Sequence, residues 1–333
     1  MKENYKVNFA NLSIRFGERE LLDYVEIVSS AFLVDTHVRD TVSGNYFFVD
    51  VQIYQPDPTD PMSTVIAGRI VKDTKLRREQ VLQGKTLVED HQTLASTPSA
   101  FFCVFLADHR VAFVPETSFP PTLKNFEAAI SLFVKREFKK FTDKIYYAAQ
   151  ESGERITRAD VYNDHVPPSI SLVPLTSKQS IDQFVSRFQT VKKLTVHLVE
   201  RNQDYDGKSV FERLLEDTEP MDPSSAKYEV RGSKEGLNLN ETKEFISETT
   251  EGGYERVTLM GSGHDGETIT GSNDEFKLKV ETPLSSKDSK RVNQLAKLYE
   301  HQKEAGNIRV SPRDKNLVAP KLQGLSNDAT AQE

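Results

Sequence analysis

The stretch FFCVFLADHRVAFVPE, residues 101–116, decides the fold. Phe101–Leu106 and Val111–Val114 are strong strand runs joined by Ala107-Asp108-His109-Arg110, which predicts a hairpin with a short polar turn. His109 belongs to that turn and is expected in solvent. Cys103, inside the first strand, reads as a small buried hydrophobe. Pro120-Pro121 then stop the chain, and Thr122 is a suitable N-cap for a helix. Leu123, Phe126, Ile130, Phe133, Val134, Phe138 and Phe141 fall on one stripe at about 100° per residue. Hairpin and amphipathic helix therefore form one packing unit.

Working outward, Tyr5–Arg15 reads as extended and Glu18–Phe32 as a helix burying Leu21, Leu22, Val25, Ile27 and Val28. Asn45–Tyr54 alternates as a strand, QPDPTDP (55–61) is a turn-rich break, and Ser63–Val71 supplies another strand. HVPPS (165–169) is taken as a domain boundary. Beyond it come a strand at Ile170–Val173 and a capping box, Thr176-x-x-Gln179, opening a helix with Ile181, Phe184, Val185 and Phe188 inside. Leu194–Leu198 is the next strand, followed by Ser209–Leu215 (helix), Tyr228–Arg231 (strand) and Glu241–Thr249 (helix). Arg256–Met260 and Phe276–Val280 are strands, and a last helix runs from Lys287 to about Ala305. Interleaved helices and strands predict an α+β fold with mixed or antiparallel sheets, packed helices and two domains, 1–164 and 165–305. Residues 306–333 lack obvious periodicity and are expected to form a flexible tail.

Composition narrows the class. The chain has 333 residues, one cysteine and no tryptophan. A lone cysteine excludes an intramolecular disulfide framework and a cysteine-based zinc site. No apolar run approaches the roughly 20 residues of a membrane span, and MKENYKVNFANL has no signal-peptide core, so a cytoplasmic protein is expected. The net charge of −7 is uneven: residues 200–285 hold twenty acidic and ten basic side chains, leaving 30 acidic and 33 basic elsewhere. That asymmetry permits a localised polyanion-binding surface.

Catalytic signatures are sparse. Gly207-Lys208-Ser209 imitates a phosphate-binding loop, but Asn202 stands where the first glycine is needed, and Glu200, Asp204 and Asp206 would repel a triphosphate. Lys85 in QGKT is a poorer match still. Asp265, Glu275 and Lys277 supply the carboxylates and lysine that a metal-dependent nuclease requires. The surrounding GHDGE (263–267) reads more simply as a hairpin turn. No Gly-x-Ser-x-Gly elbow occurs. His37, His91, His165, His197 and His301 lack ligand spacing, and His197 is expected on the exposed face of its strand. No cofactor or metal is called for.

Basic residues are the more informative feature. Lys135, Arg136, Lys139 and Lys140 lie opposite the apolar stripe of the long helix, with Lys144 just beyond. Glu137 projects toward the stripe's edge and is expected to do little to cancel them. Such a face can track phosphates. Arg69, Lys72, Lys75, Arg77, Arg78 and Lys85 make a second cluster, and Lys192-Lys193 a third. Nothing resembles base-reading machinery, so any DNA contact should be to the backbone.

The order of features resembles the RexA-like phage-exclusion (abortive infection) family of the phage lambda type. The likeness runs through SAFFCVFLADHRVAFVPETSFPPTLKNF (99–126), LVPLTSKQSIDQFVSRFQTVKKLTVHL (172–198) and VETPLSSKDSKRVNQLAKLYE (280–300). It implies a cytoplasmic α+β homodimer that binds DNA with little sequence preference and signals to a membrane-channel partner. The expectation is a non-enzymatic, weakly sequence-specific DNA-binding sensor in anti-phage defence. Lys135, Arg136, Lys139 and Lys140 would contact phosphate, and residues 165–305 would carry dimerisation or partner contacts. The alternatives are a metal-dependent nuclease effector using Asp265, Glu275 and Lys277, and a scaffold that binds only protein.

Overall fold

A computed structural model describes residues 4–198, 226–250 and 252–330. The first stretch contains β1 (Asn4–Phe16), β2 (Arg19–Glu20), α1 (Val25–Leu33), β3 (Val38–Thr41), β4 (Gly44–Tyr54), β5 (Val65–Gln83) and β6 (Thr86–Ser96). Then come β7 (Ser99–Phe105), β8 (Arg110–Pro115), α2 (Leu123–Glu151), α3 (Arg158–Asp164), β9 (Ser169–Pro174), α4 (Lys178–Val185) and β10 (Phe188–Leu198). The remaining elements are β11 (Ala226–Arg231), α5 (Leu239–Thr249), β12 (Glu255–Gly263), β13 (Thr268–Ser272), β14 (Lys279–Pro283), α6 (Asp288–Glu304) and α7 (Lys315–Thr330). They form an α+β fold with two antiparallel sheets: a large one ordered β14-β1-β8-β7-β5-β4-β3 and a small one ordered β11-β10-β12-β13.

The opening stretch is the β7–β8 hairpin at the middle of the large sheet, with Phe102 opposite Phe113 and Val104 opposite Val111. Its uninterrupted apolar run follows from burial on both faces. Phe102, Val104, Val111 and Phe113 enter a core shared with α1, α2 and α7. Phe101, Cys103, Phe105, Ala112 and Val114 enter a second core, which α6 closes with Val292, Leu295 and Tyr299. Cys103 is fully buried, and loss of solvation pushes its thiol pKa well up, so it packs as a hydrophobe. Thr122 caps α2 reciprocally with Asn125. Phe126, Ile130, Phe133 and Val134 on α2 are wholly buried. At such sites Phe→Ala costs about 3–5 kcal/mol.

The expected boundary at 164/165 does not separate the sheets. β9, from the second half, pairs with β1 from Ala10↔Pro174 to Arg15↔Ser169, and β14 pairs with the start of β1. A bidentate bridge from Arg69 in β5 to Asp288 in α6, both bonds 2.7 Å, fastens the last third of the chain to this sheet. The small sheet and α4 and α5 bury a third core around Phe184, Phe188, Val196 and Phe276.

Within 306–333, expected as a flexible tail, several described residues are packed. Ile308 is buried in the α6 core, and Val318, Leu322 and Leu325 of α7 are buried in the first core, where the helix packs against α1, β4 and residues 21–24 and 61–63. Their spacing, i, i+4 and i+7, is a helical stripe. The returning segment explains His109, which is fully buried rather than solvent-exposed. Arg313 lies 3.0 Å from His109 Nδ1 and 3.4 Å from Glu20, and the His109 carbonyl accepts the Leu12 N–H. The helix expected at 176 starts one residue later, with Ser177 as N-cap. His197 is exposed, as its strand position implied. The helix expected at Ser209–Leu215 lies outside the described residues. No described helix is long and apolar enough to cross a membrane.

Candidate nucleic-acid interface

A phosphate-binding surface needs cations that are exposed, near one another and not already neutralised. The outer face of α2 meets this only in part. Lys139 is ion-paired with Asp143, which also holds Arg158. These hydrogen bonds lower the pKa of Asp143 and raise that of Lys139. Glu137 does what the sequence reading discounted: its Oε1 lies 2.7 Å from Lys140 Nζ and 2.7 Å from His37 Nε2. At about 100° per residue, Lys135 and Lys144 point to opposite sides of the helix. The helix carries no continuous cationic stripe.

What α2 does contribute is Arg136. Its guanidinium donates to the Val38 carbonyl at 2.9 Å, which ties the helix to the start of β3. The neighbouring residue, Arg39, is opposite Tyr46 of β4, and Tyr46 is opposite Lys72 of β5. Directly opposed residues on adjacent strands share a face. Both cations lie over the same ring: Arg39 at 5.6 Å and Lys72 at 5.9 Å from its centroid. Tyr46 is only 4% exposed beneath them. A cation–π contact contributes about 0.5–1 kcal/mol at exposed sites and more where the pair is desolvated, which favours these positions for the two long side chains. Among the described residues no carboxylate is ion-paired with Arg39, Lys72 or Arg136.

The β3–β4 turn fits this rim closely. Gly44 has φ +132°, and a Cβ there would come within 2.5 Å of the Asp73 carbonyl and 3.2 Å of the Lys72 side chain. The positive φ and the close backbone carbonyl of Asp73 require glycine at this turn. Asp40 and Asp73 occupy the next register positions around Asn45, and alternation sends them to the opposite face. His37 stacks on Phe133 under the rim, and burial lowers its pKa despite the opposing pull of Glu137.

The second basic cluster is otherwise dispersed. Arg69 is consumed by Asp288, by Glu116 at 3.2 Å and by Asp50 at 3.4 Å, with Arg291 also bound to Glu116. Lys75 lies three positions beyond Lys72 on β5, on the opposite face. The side chain of Arg77 lies outside the described residues, and Arg78 is bound by Asp90. Lys85 stands at the far tip of the β5–β6 hairpin, roughly 40 Å along the strand from Lys72. Lys192 and Lys193 are on β10 in the small sheet, where Lys193 is 3.7 Å from Glu229. Hydrogen bonds from Arg231 and Lys227 pull the Glu229 carboxyl down to about 2.

The nuclease constellation is not assembled. Asp265 sits in the turn before β13, and Glu275 follows the other end of that strand, where it accepts hydrogen bonds from Ser272. Lys277 is largely desolvated, which lowers its pKa. The five residues of β13, roughly 17 Å of strand, lie between the two positions, and no cluster of three or more His, Cys, Asp or Glu among the described residues could hold a metal ion. Gly207-Lys208-Ser209 lies outside the described residues. No protein-family model matches the chain, and no curated protein matches it either.

The sequence reading named Lys72 and Arg136 but missed Arg39, which completes the rim. Its signal was the alternation of VRDT (38–41) before a short turn closed by Ser43-Gly44, a hairpin pattern.

Proposed function

We propose that this protein binds the phosphate backbone of DNA without base readout, through the rim formed by Arg39, Lys72 and Arg136, and that it performs no chemistry there. The observation that carries the reading is that Lys72 of β5 and Arg39 of β3 share the buried Tyr46 ring, while Arg136 of α2, bound to the Val38 carbonyl, adds a third cation beside them, none of the three paired with a carboxylate among the described residues. Among the described residues no recognition helix accompanies them, so the contact is to backbone, and sequence preference is weak. The resemblance to phage-exclusion proteins supplies the setting: a cytoplasmic sensor of anti-phage defence that signals to a membrane-channel partner.

The test is fluorescence anisotropy on a labelled random-sequence duplex over a salt series. Three phosphate contacts give a slope of log K against log salt near −2.7, at about −0.9 per contact. The triple variant R39Q/K72Q/R136Q should lose nearly all of it. K139Q/K140Q, which removes cations already held by carboxylates, should change it little. Equal effects of the two variants would reject the rim as the binding surface.

A further inference from the structure

Beyond Lys72, β5 and β6 leave the large sheet as a two-stranded ribbon. Among the described residues β6 is hydrogen-bonded only to β5, and none of them covers its other edge, eleven residues long. Exposed edges of this length are normally blunted by lysine, proline or covering elements. The segment TLVEDHQTLAS contains no lysine, proline or glycine. It also carries large apolar side chains into solvent: Leu82, Leu87 and Leu94 are 65%, 65% and 69% exposed.

The sequence of this edge is complementary to itself. Two copies placed antiparallel about a two-fold between Asp90 and His91 set Leu87 against Leu94 of the second copy. The same operation sets Val88 against Thr93, Glu89 against Gln92 and Asp90 against His91. No carboxylate opposes a carboxylate, whereas slipping by one position puts Asp90 against Asp90. A two-fold interface of this kind requires opposed residues to share a face. Leu87 and Leu94 would not do so in a regular strand, being an odd number of positions apart.

The β-bulge resolves this. The register of β6 on β5 shifts between Arg78 and Gln80, so that Leu87 is opposite Leu82 and Leu94 is opposite Leu76. Positions 76 and 82 share a face of β5, and therefore Leu87 and Leu94 share a face of β6. The extra residue at 90–91 lies at the proposed axis, where it interrupts the new ladder least.

We infer that the β6 edge is the self-association surface of this protein, joining two ribbons into one four-stranded antiparallel sheet. Leu82, Leu87 and the second copy's Leu94 then form a continuous apolar row, repeated by the two-fold. This places self-association on the ribbon and not in residues 165–305. It does not rest on DNA binding, and its test uses no nucleic acid.

Sedimentation velocity of the full chain should give a dimer, and L87K/L94K, which opposes lysines across the axis, should give a monomer. These side chains touch no core, so the circular dichroism spectrum should be unchanged, and the thermal midpoint should fall only to that of the wild type diluted to monomer. As a second reading, V88C/T93C should form a covalent dimer on mild oxidation. The two thiols are five positions apart on one strand, roughly 17 Å, beyond the reach of an internal disulfide. A monomeric wild type, a dimer that survives L87K/L94K, or V88C/T93C that stays uncrosslinked would each overturn the inference.

Discussion

Replacing Glu137 with Gln should move DNA affinity and stability in opposite directions. Glu137 is 11% exposed and lies 2.7 Å from both His37 and Lys140. Glutamine keeps the size but removes the charge, which releases Lys140 beside Arg136 on the side of α2 that faces β3. A fourth available cation steepens the salt slope from about −2.7 to about −3.6. Between 50 mM and 200 mM salt that adds a further factor of about 3.5 to the loss of affinity, and at low salt the variant binds more tightly than wild type. Meanwhile a charge-assisted contact to a buried imidazole is weakened, at a cost of about 1–3 kcal/mol. The assays are anisotropy over four salt concentrations and urea unfolding on the same preparation. A general folding defect would weaken both properties. An E137Q protein with an unchanged slope would refute the claim that this carboxylate silences Lys140.

Asp288→Asn should destabilise the whole chain by about 2 kcal/mol, a buried-pair loss discounted for partial exposure. Unfolding should remain one transition by circular dichroism and tyrosine fluorescence, because the bridge from Arg69 crosses the expected domain boundary. Leu322→Ala should cost about 2–5 kcal/mol in urea unfolding, where a mobile tail would give no change. Burial lowers the folded-state pKa of His37, so its contribution is present above the unfolded imidazole value of about 6.5 and is lost as pH falls through the folded value. His37→Asn should flatten the acid side of the stability profile between pH 7 and 5, and an unchanged profile would contradict it.

The sequence was most readable where local patterning and tertiary packing agreed. Thr122, the α2 stripe and the β7–β8 hairpin each satisfy one period with one core, so strand alternation or helical spacing identified them. Readability failed where a distant segment decides the environment. His109 looks like a turn residue until Arg313 returns over it from the chain end. The 318/322/325 stripe was hidden by Pro320 and Gly324, which read as breakers although packing against α1 and β4 holds the helix. The candidate site failed in a related way. A helical wheel places Lys139 and Lys140 outward correctly, but it does not report that Asp143 and Glu137 have claimed them. The rim itself depends on strand register, which brings Arg39 and Lys72 to either side of Tyr46 from positions 33 residues apart. A charge count along the chain carries none of that information.

The most direct measurement is the salt dependence of wild-type binding to a duplex of arbitrary sequence. With three phosphates engaged, affinity should fall about 40-fold between 50 mM and 200 mM salt, equally for unrelated sequences. Affinity independent of salt, or no binding in dilute buffer, would contradict the assignment of this rim to DNA.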